Sequence, residues 1–310
     1  MNSLIIGYGS IGNRHAEVLN ELGSELSIVS KRDVSNLKNY KVLTLALLEK
    51  HPDLIIIANN TNDHIATLLD VRANGFEGPV LVEKPLSDSL TNIPDQPFYN
   101  TFVAYNMRFN PLLVRLKNEI ENDSDVISVH SYVGQYLPTW NNQRDYRETY
   151  SAKKDLGGGV IRDLSHELDF ICWIFGEWRE LTAIGGKYSN LEIDTDDIFS
   201  LMFTTKLCPS IFLQMNYLDR VTKRTLIVKT IHHVYEIDFI KKTYTKDDKQ
   251  EFIEFERNHS YLMQIKSILY NNLENLCSFE SGRRTLNFIN CAEKAAYSNI
   301  KEWVKNEENM

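Results

Sequence analysis

The sequence predicts a doubly wound α/β Rossmann domain with a parallel sheet, followed by an α+β domain whose open sheet is mostly antiparallel. Three observations carry this. Short apolar runs alternate with helix-spaced segments through the first third of the chain. A Gly-x-Gly-x-x-Gly sequence joins the first run to the first helical segment. From residue 125 onward, segments alternate apolar and polar residues, as strands with one wet face do.

The elements follow in order. Residues 2–6 are an apolar strand. Residues 11–22 have helical spacing, with Ile11, His15, Val18, Leu19 and Leu22 along one side. Residues 26–29 form a second strand, and residues 42–50 a helix stopped by Pro52. Residues 53–58 contain the continuous apolar run Leu54 to Ala58, as in a strand buried on both faces. A helix over 64–73 ends at Gly75, and strands follow at 79–82 and 101–105. Residues 87–98, with Pro94 and Pro97, read as a loop, and 112–120 as a helix. Strands are expected at 126–133, 180–188, 197–204, 210–218, 225–229, 233–239 and 251–255, and closing helices at 261–276 and 283–303. The domains divide as 1–121 (dinucleotide-binding) and 122–310 (substrate and oligomerisation), with the last helix able to pack back on the first domain.

Composition narrows the function. The 310 residues suit two domains at roughly 100–200 residues each, or one large one. Lys+Arg 34 against Asp+Glu 42 gives a net charge of −8, the wrong sign for a duplex nucleic-acid binder. No apolar run approaches the roughly 18–20 residues of a membrane helix, and the amino terminus shows no export signal. Cys172, Cys208, Cys277 and Cys291 are scattered with no Cys-x-x-Cys pair, which fits reduced thiols in a cytoplasm. His232 and His233 have no carboxylate or cysteine at ligand spacing, so no metal site is expected.

The strand at 2–6 runs into Gly7-Tyr8-Gly9-Ser10-Ile11-Gly12. The first glycine permits the tight turn, the second lets backbone approach a pyrophosphate, and the third lets helix and strand pack closely. The helix start then offers N–H groups and partial positive charge to phosphates. This placement makes the six residues candidate dinucleotide ligands. The second strand ends in Ser30-Lys31-Arg32-Asp33. A small hydroxyl followed by two cations suits the 2′-phosphate of NADP, which is preferred. In the alternative, Lys31 and Arg32 are solvated and Asp33 answers the ribose of NAD.

Five further segments carry a resemblance. They are Asn13-Arg14-His15 after the glycine loop, Ala58-Asn59-Asn60-Thr61-Asn62-Asp63-His64, and Glu83-Lys84-Pro85. Then come Tyr105-Asn106-Met107-Arg108-Phe109-Asn110-Pro111, and Gly157-Gly158-Gly159 leading to Asp163 and His166. In this order, over nearly the whole chain, they resemble the glucose–fructose oxidoreductase / inositol dehydrogenase (Gfo/Idh/MocA) family. The resemblance implies an NAD(P)-dependent oxidoreductase of sugars, amino sugars or cyclitols, a cofactor site that includes Asn59, Asn60, His64, Glu83 and Lys84, and a homo-oligomer (dimer or tetramer) through the second sheet. Lys84 matches the family's lysine near nicotinamide and substrate. Asp163 and His166 match its carboxylate and imidazole at the substrate hydroxyl. Many members space these as Asp-x-x-x-His, whereas this chain has Asp-x-x-His, so His166 is the better match. The stretches Tyr105–Pro111 and Gln143–Arg147 resemble members linked to bacterial surface-glycan sugars.

The chemistry agrees with those residue types. Oxidising an alcohol sends a hydride to the nicotinamide and a proton to a base. Imidazole works in both directions near neutral pH, and an ammonium can hold charge against a developing alkoxide. On a continuous helix, Asp163 and His166 share a face, and the preceding glycines can bring backbone close to a ligand. Glu83 is read as orienting Lys84 or Pro85. Asn106 and Arg108 lie beyond the carboxyl end of the last Rossmann strand, where ligands gather. Tyr136, Trp140 and Arg144 suit a sugar, phosphate or carboxylate, or equally a loop packed on the sheet or a subunit contact. Two rivals remain: a catalytically inactive NAD(P)-binding regulator of the same fold, and an NAD-dependent glycoside hydrolase.

Overall fold

The computed structural model describes residues 1–310 apart from 35, 97, 124, 141–143, 299–301 and 310. By contact density the chain forms two compact units, and it does not divide at one point. The first is Met1–Phe109 with Arg257–Leu286; the second is Asn110–Glu256 with Asn287–Met310.

The first unit is built on β1 (Asn2–Ile6), β2 (Glu25–Val29), β3 (Lys38–Tyr40), β4 (Leu54–Ile57), β5 (Val80–Val82) and β6 (Thr101–Val103). They run parallel in the order β6-β5-β4-β1-β2-β3. This is the doubly wound order, with the reversal between β1 and β4. Every residue of β4 is fully buried, as its unbroken Leu-Ile-Ile-Ile run requires. The sheet faces carry separate cores. One joins Ile5, Ile28 and Ile56 to Ala16, Val18 and Leu19 of α1 (Ser10–Glu21) and to Ile265 and Ile268 of α7 (His259–Leu269). The other joins Leu4, Ile55 and Ile57 to Ala46 of α2 (Leu43–Lys50) and to Ile65, Leu68 and Val71 of α3 (His64–Ala73). Thus α7 belongs here although it comes late in the chain.

The second unit opens with α4 (Pro111–Asn122). Charge and ring contacts tie α4 to its own unit. Arg115 makes two bonds to Glu251, at 2.7 and 3.0 Å, and its guanidinium lies 4.3 Å from the Tyr244 ring centre. The sheet contains β7 (Val126–Gly134), β8 (Trp178–Gly186), β9 (Ile198–Thr205), β10 (Ile211–Asn216), β11 (Lys223–Thr230), β12 (Val234–Asp238), β13 (Thr243–Lys246), β14 (Lys249–Phe252) and β16 (Val304–Lys305). The order is β14-β13-β12-β11-β7-β10-β9-β8-β16. Among the described residues only β7 and β10 pair in parallel. Alternate residues are buried, as in Tyr235 and Ile237 of β12.

Several expectations change. The strands at 38–40, 243–246 and 304–305 were not anticipated; two to four residues are too few to show alternation. The helix expected over 261–276 stops at Leu269, where Asn271 takes a left-handed φ of 54°. Residues Cys277–Ser278 then form β15 against β6. The helix expected over 283–303 is α8 (Phe279–Tyr297), and residues 299–301 lie outside the described residues. Its early start has a local cause: Ser278 Oγ accepts from Ser281 N at 3.1 Å and caps the helix. The loop expected over 87–98 contains a 3-10 turn at Leu90–Asn92, and its Pro97 lies outside the described residues.

Candidate active site

The glycine loop follows β1 directly. Gly7 has a φ of +94°, and a Cβ there would lie 2.5 Å from Ala58 O at the end of β4. A Cβ on Gly12 would lie 2.3 Å from Gly7 O. Both positions are closed to side chains by the chain's own backbone. Gly9 is different, since its Cβ would meet no atom within 4 Å. Gly9 is also the N-cap of α1, and no side chain caps that helix. The N–H groups of its first turn have no intrahelical acceptor. Tyr8 donates to Asn13 Oδ1 at 3.1 Å, while Ser10 is exposed and Ile11 half-buried. The open space, the free donors and the helix dipole suit a pyrophosphate.

The carboxyl ends of the neighbouring strands supply the rest of this unit's candidates. Ser30 is buried, and its Oγ accepts from Arg32 N at 3.1 Å. Lys31 and Arg32 are exposed. Asn59 donates through Nδ2 to Thr67 Oγ1 at 2.7 Å, and Asn60 is exposed. Buried His64 donates from Nδ1 to Pro85 O at 3.0 Å. Burial pushes its imidazole below the ordinary value, against the Glu83 charge, so the ring is neutral near pH 7. Asn59 Oδ1 and His64 Nε2 are buried atoms with no hydrogen-bond partner among the described residues. These orphaned groups, with the open cradle at Gly9, fit a dinucleotide laid along the strand ends.

Glu83 and half-buried Lys84 follow β5. Glu83 is buried, and its Oε1 lies 2.7 Å from Nε2 of the fully buried His15 on α1. Its other oxygen accepts from Lys84 N at 3.2 Å. The carboxylate therefore joins the helix after the glycine loop to the backbone of Lys84. Asn106 and Arg108 sit on a buried 3-10 turn, Asn106–Phe109, and Arg108 Nη1 donates to Leu276 O at 3.4 Å.

In the second unit the helix expected to carry both Asp163 and His166 is broken. Asp163 ends α5 (Val160–Asp163) and His166 begins α6 (His166–Phe175), with a turn at Leu164–Ser165 between them. The two do not share a face of one helix. Asp163 is buried and accepts from Tyr217 OH at 2.6 Å. Burial first, then the Asp163 charge, holds the Tyr217 hydroxyl well above its usual range, so it stays a donor. Trp140 packs edge-on against the Tyr217 ring, 5.2 Å between centres. Sequence reading missed Tyr217, which lies on β10's continuation with no local signal. Tyr136 stacks under Arg220, whose guanidinium carbon is 3.5 Å from the ring centre, and Arg144 is exposed.

The glycine triplet serves the chain itself. A Cβ on Gly158 would lie 2.1 Å from Tyr150 O, and one on Gly159 2.4 Å from Asp196 Oδ1. At these two glycines the backbone approaches protein atoms. Asp196 is buried and accepts from Ile161 N at 3.1 Å. Burial raises its carboxyl to about 6, with the Glu293 charge adding to the effect. Unfolded, the group ionises near 3.8. Between these values the folded state holds a proton that the unfolded chain has lost, so stability falls as pH rises through that window.

Residues 124–225 match the family model for the GFO/IDH/MocA C-terminal domain. No curated protein matches the chain by sequence. Among solved structures, GenD2 from gentamicin A biosynthesis in complex with NAD is 18% identical, with 99% of this chain and 96% of that one covered and a TM-score of 0.82. Levoglucosan dehydrogenase in complex with NADH is 14% identical, with 98% of each chain covered and a TM-score of 0.83. The WlbA dehydrogenase from Bordetella pertussis, in complex with NADH and UDP-GlcNAcA, is 16% identical, with 98% of each chain covered and a TM-score of 0.80. At these identities the likeness shows the fold.

Asp196→Asn should remove one slope from the stability curve. Urea unfolding from pH 4 to pH 7 should show the wild type losing on the order of 2–3 kcal/mol relative to the variant. Parallel curves would mean that Asp196 titrates normally in the folded protein.

Proposed function

We propose that this chain, whose residues 124–225 match the family model for the GFO/IDH/MocA C-terminal domain, belongs to that family and is an NAD(P)-dependent oxidoreductase of a sugar, amino sugar or cyclitol derivative. One observation carries the reading: the open space at Gly9, at the uncapped start of α1, beside the reversal point of a doubly wound sheet. The solved relatives bound to NAD or NADH support it, and WlbA, bound to a nucleotide-linked sugar, supports the substrate class.

Gly7 to Gly12 bind the pyrophosphate, with Asn59, Asn60 and His64 along the strand ends. Ser30, Lys31 and Arg32 receive the adenosine ribose, and they favour NADP over NAD. A bound nicotinamide supplies the hydride acceptor for an alcohol, or the hydride donor for a ketone. His166 takes the hydroxyl proton in oxidation and returns it in reduction. The Lys84 ammonium holds charge against the alkoxide oxygen. Asp163, fixed by Tyr217, orients the imidazole or the substrate. Asn106, Arg108, Tyr136, Trp140 and Arg144 remain substrate candidates of lower rank, and Arg144 has the exposure to reach a charged substituent. Among the described residues no helix is long and apolar enough to cross a membrane.

The catalytic assignment is tested with Lys84→Ala and His166→Ala over a panel of sugars. Both variants should still bind the dinucleotide and lose turnover by about a hundredfold or more. Near-normal rates in both would remove the assignment. Tight binding by the wild type with no turnover of any sugar would favour a regulator.

The same reading makes the chain a homo-oligomer through its second sheet. Met202 on β9 pairs with Phe212 on β10, and Phe212 pairs with His130 on β7 at 5.4 Å between rings. These apolar side chains face outward; Ile184, Met202 and Phe212 are 60%, 41% and 42% exposed. Light scattering should report a dimer or tetramer for the wild type and a smaller species for Phe212→Glu. A monomeric wild type would contradict it.

A further inference from the structure

The cluster of side chains around the β2 carboxyl end contains one residue with no role so far, Lys41, just beyond β3. Its Nζ lies 3.2 Å from Ser30 O, Lys31 O and Arg32 O, and 2.8 Å from Asp33 Oδ1. An ammonium has three N–H donors, so four oxygens saturate it. Lys41 is therefore occupied by the loop and has no donor left for a ligand. A neighbouring bond reinforces the same backbone: Asn39 Nδ2 donates to Arg32 O at 2.7 Å.

We infer that Lys41 is a positioning residue for coenzyme choice: it gathers the three carbonyls of residues 30–32 and neutralises Asp33, so that the loop presents cationic side chains to a 2′-phosphate. The inference rests on the NADP preference proposed above. Two physical effects support it. Turning three carbonyl oxygens onto one ammonium directs their negative ends away from a phosphate. The Lys41 ammonium, 2.8 Å from Asp33 Oδ1, offsets the charge of the loop's own carboxylate, the group that would otherwise accept from a ribose diol and repel a phosphate. The hydrogen bond from Lys41, and then its charge, hold the exposed Asp33 carboxyl below its usual range. The remaining charges of the loop are Lys31 and Arg32, both exposed.

The test is calorimetric titration of the full-length chain with NADPH and with NADH. The readout is the ratio of the two dissociation constants. Lys41→Met should weaken NADPH by about tenfold or more while changing NADH less than about threefold. Adding Asp33→Asn to Lys41→Met should restore part of the NADPH affinity, because the exposed carboxylate is then gone. Equal weakening of both coenzymes would show that Lys41 merely supports the loop, and would overturn the inference alone. No change in either would also overturn it. A wild type that binds NADH more tightly than NADPH would overturn the NADP reading and this inference with it.

Discussion

The first unit depends on how closely its backbone closes around the glycine loop. Gly7 lies against the Ala58–Asn59 backbone, and Gly12 lies against Gly7 O. Side chains at either point would push β1, α1 and β4 apart. Their closeness sets the rest. It brings the start of α1 beside the carboxyl ends of β1 and β4, and it leaves Gly9 facing empty space. The buried His15–Glu83 contact then ties α1 to the residue before Lys84. Breaking one partner of such a buried pair is costly, on the order of 3–5 kcal/mol if the carboxylate is left charged. The cradle and the candidate lysine are thus held by one rigid connection within the unit.

The second unit holds its candidate carboxylate differently. Asp163 is fixed by a buried tyrosine, and that tyrosine carries Trp140 on its ring. Gly158 and Gly159 let the chain pass close to Tyr150 and Asp196, so α5 starts where Asp196 accepts from Ile161 N. A buried carboxylate is expensive without donors, and the Ile161 amide offsets part of that cost. Asp196 is a support for the helix that ends in Asp163.

Much of this was legible in the sequence. Glycine spacing after an apolar strand, and an unbroken apolar β4, identify a parallel, doubly wound sheet from side-chain periodicity and backbone demand. Period-two alternation identifies the second sheet. What escaped has physical reasons. β3, β13, β15 and β16 are too short for periodicity to act. The turn at Leu164–Ser165 breaks the helix within residues that helices accept, so nothing local marks it. The caps at Ser278 and Asn271 were visible as residue types, but their force comes from the strand and helix they separate. Tyr217 is 54 residues from Asp163, and Glu83 is 68 from His15; such pairs are set by tertiary packing. The domain division could not be read from order alone, because α7 returns to the first unit through Ile265 and Ile268.

The central claim is that a dinucleotide pyrophosphate occupies the space opposite Gly9. Gly9→Val tests it most directly. The residue has an extended backbone, φ −89° and ψ −160°, and its added side chain meets no protein atom within 4 Å at the Cβ. Folding should therefore be unaffected, as judged by an unchanged unfolding midpoint. NADPH and NADH binding should both fall by about tenfold or more. A variant that folds normally and binds both coenzymes with wild-type affinity would contradict the account.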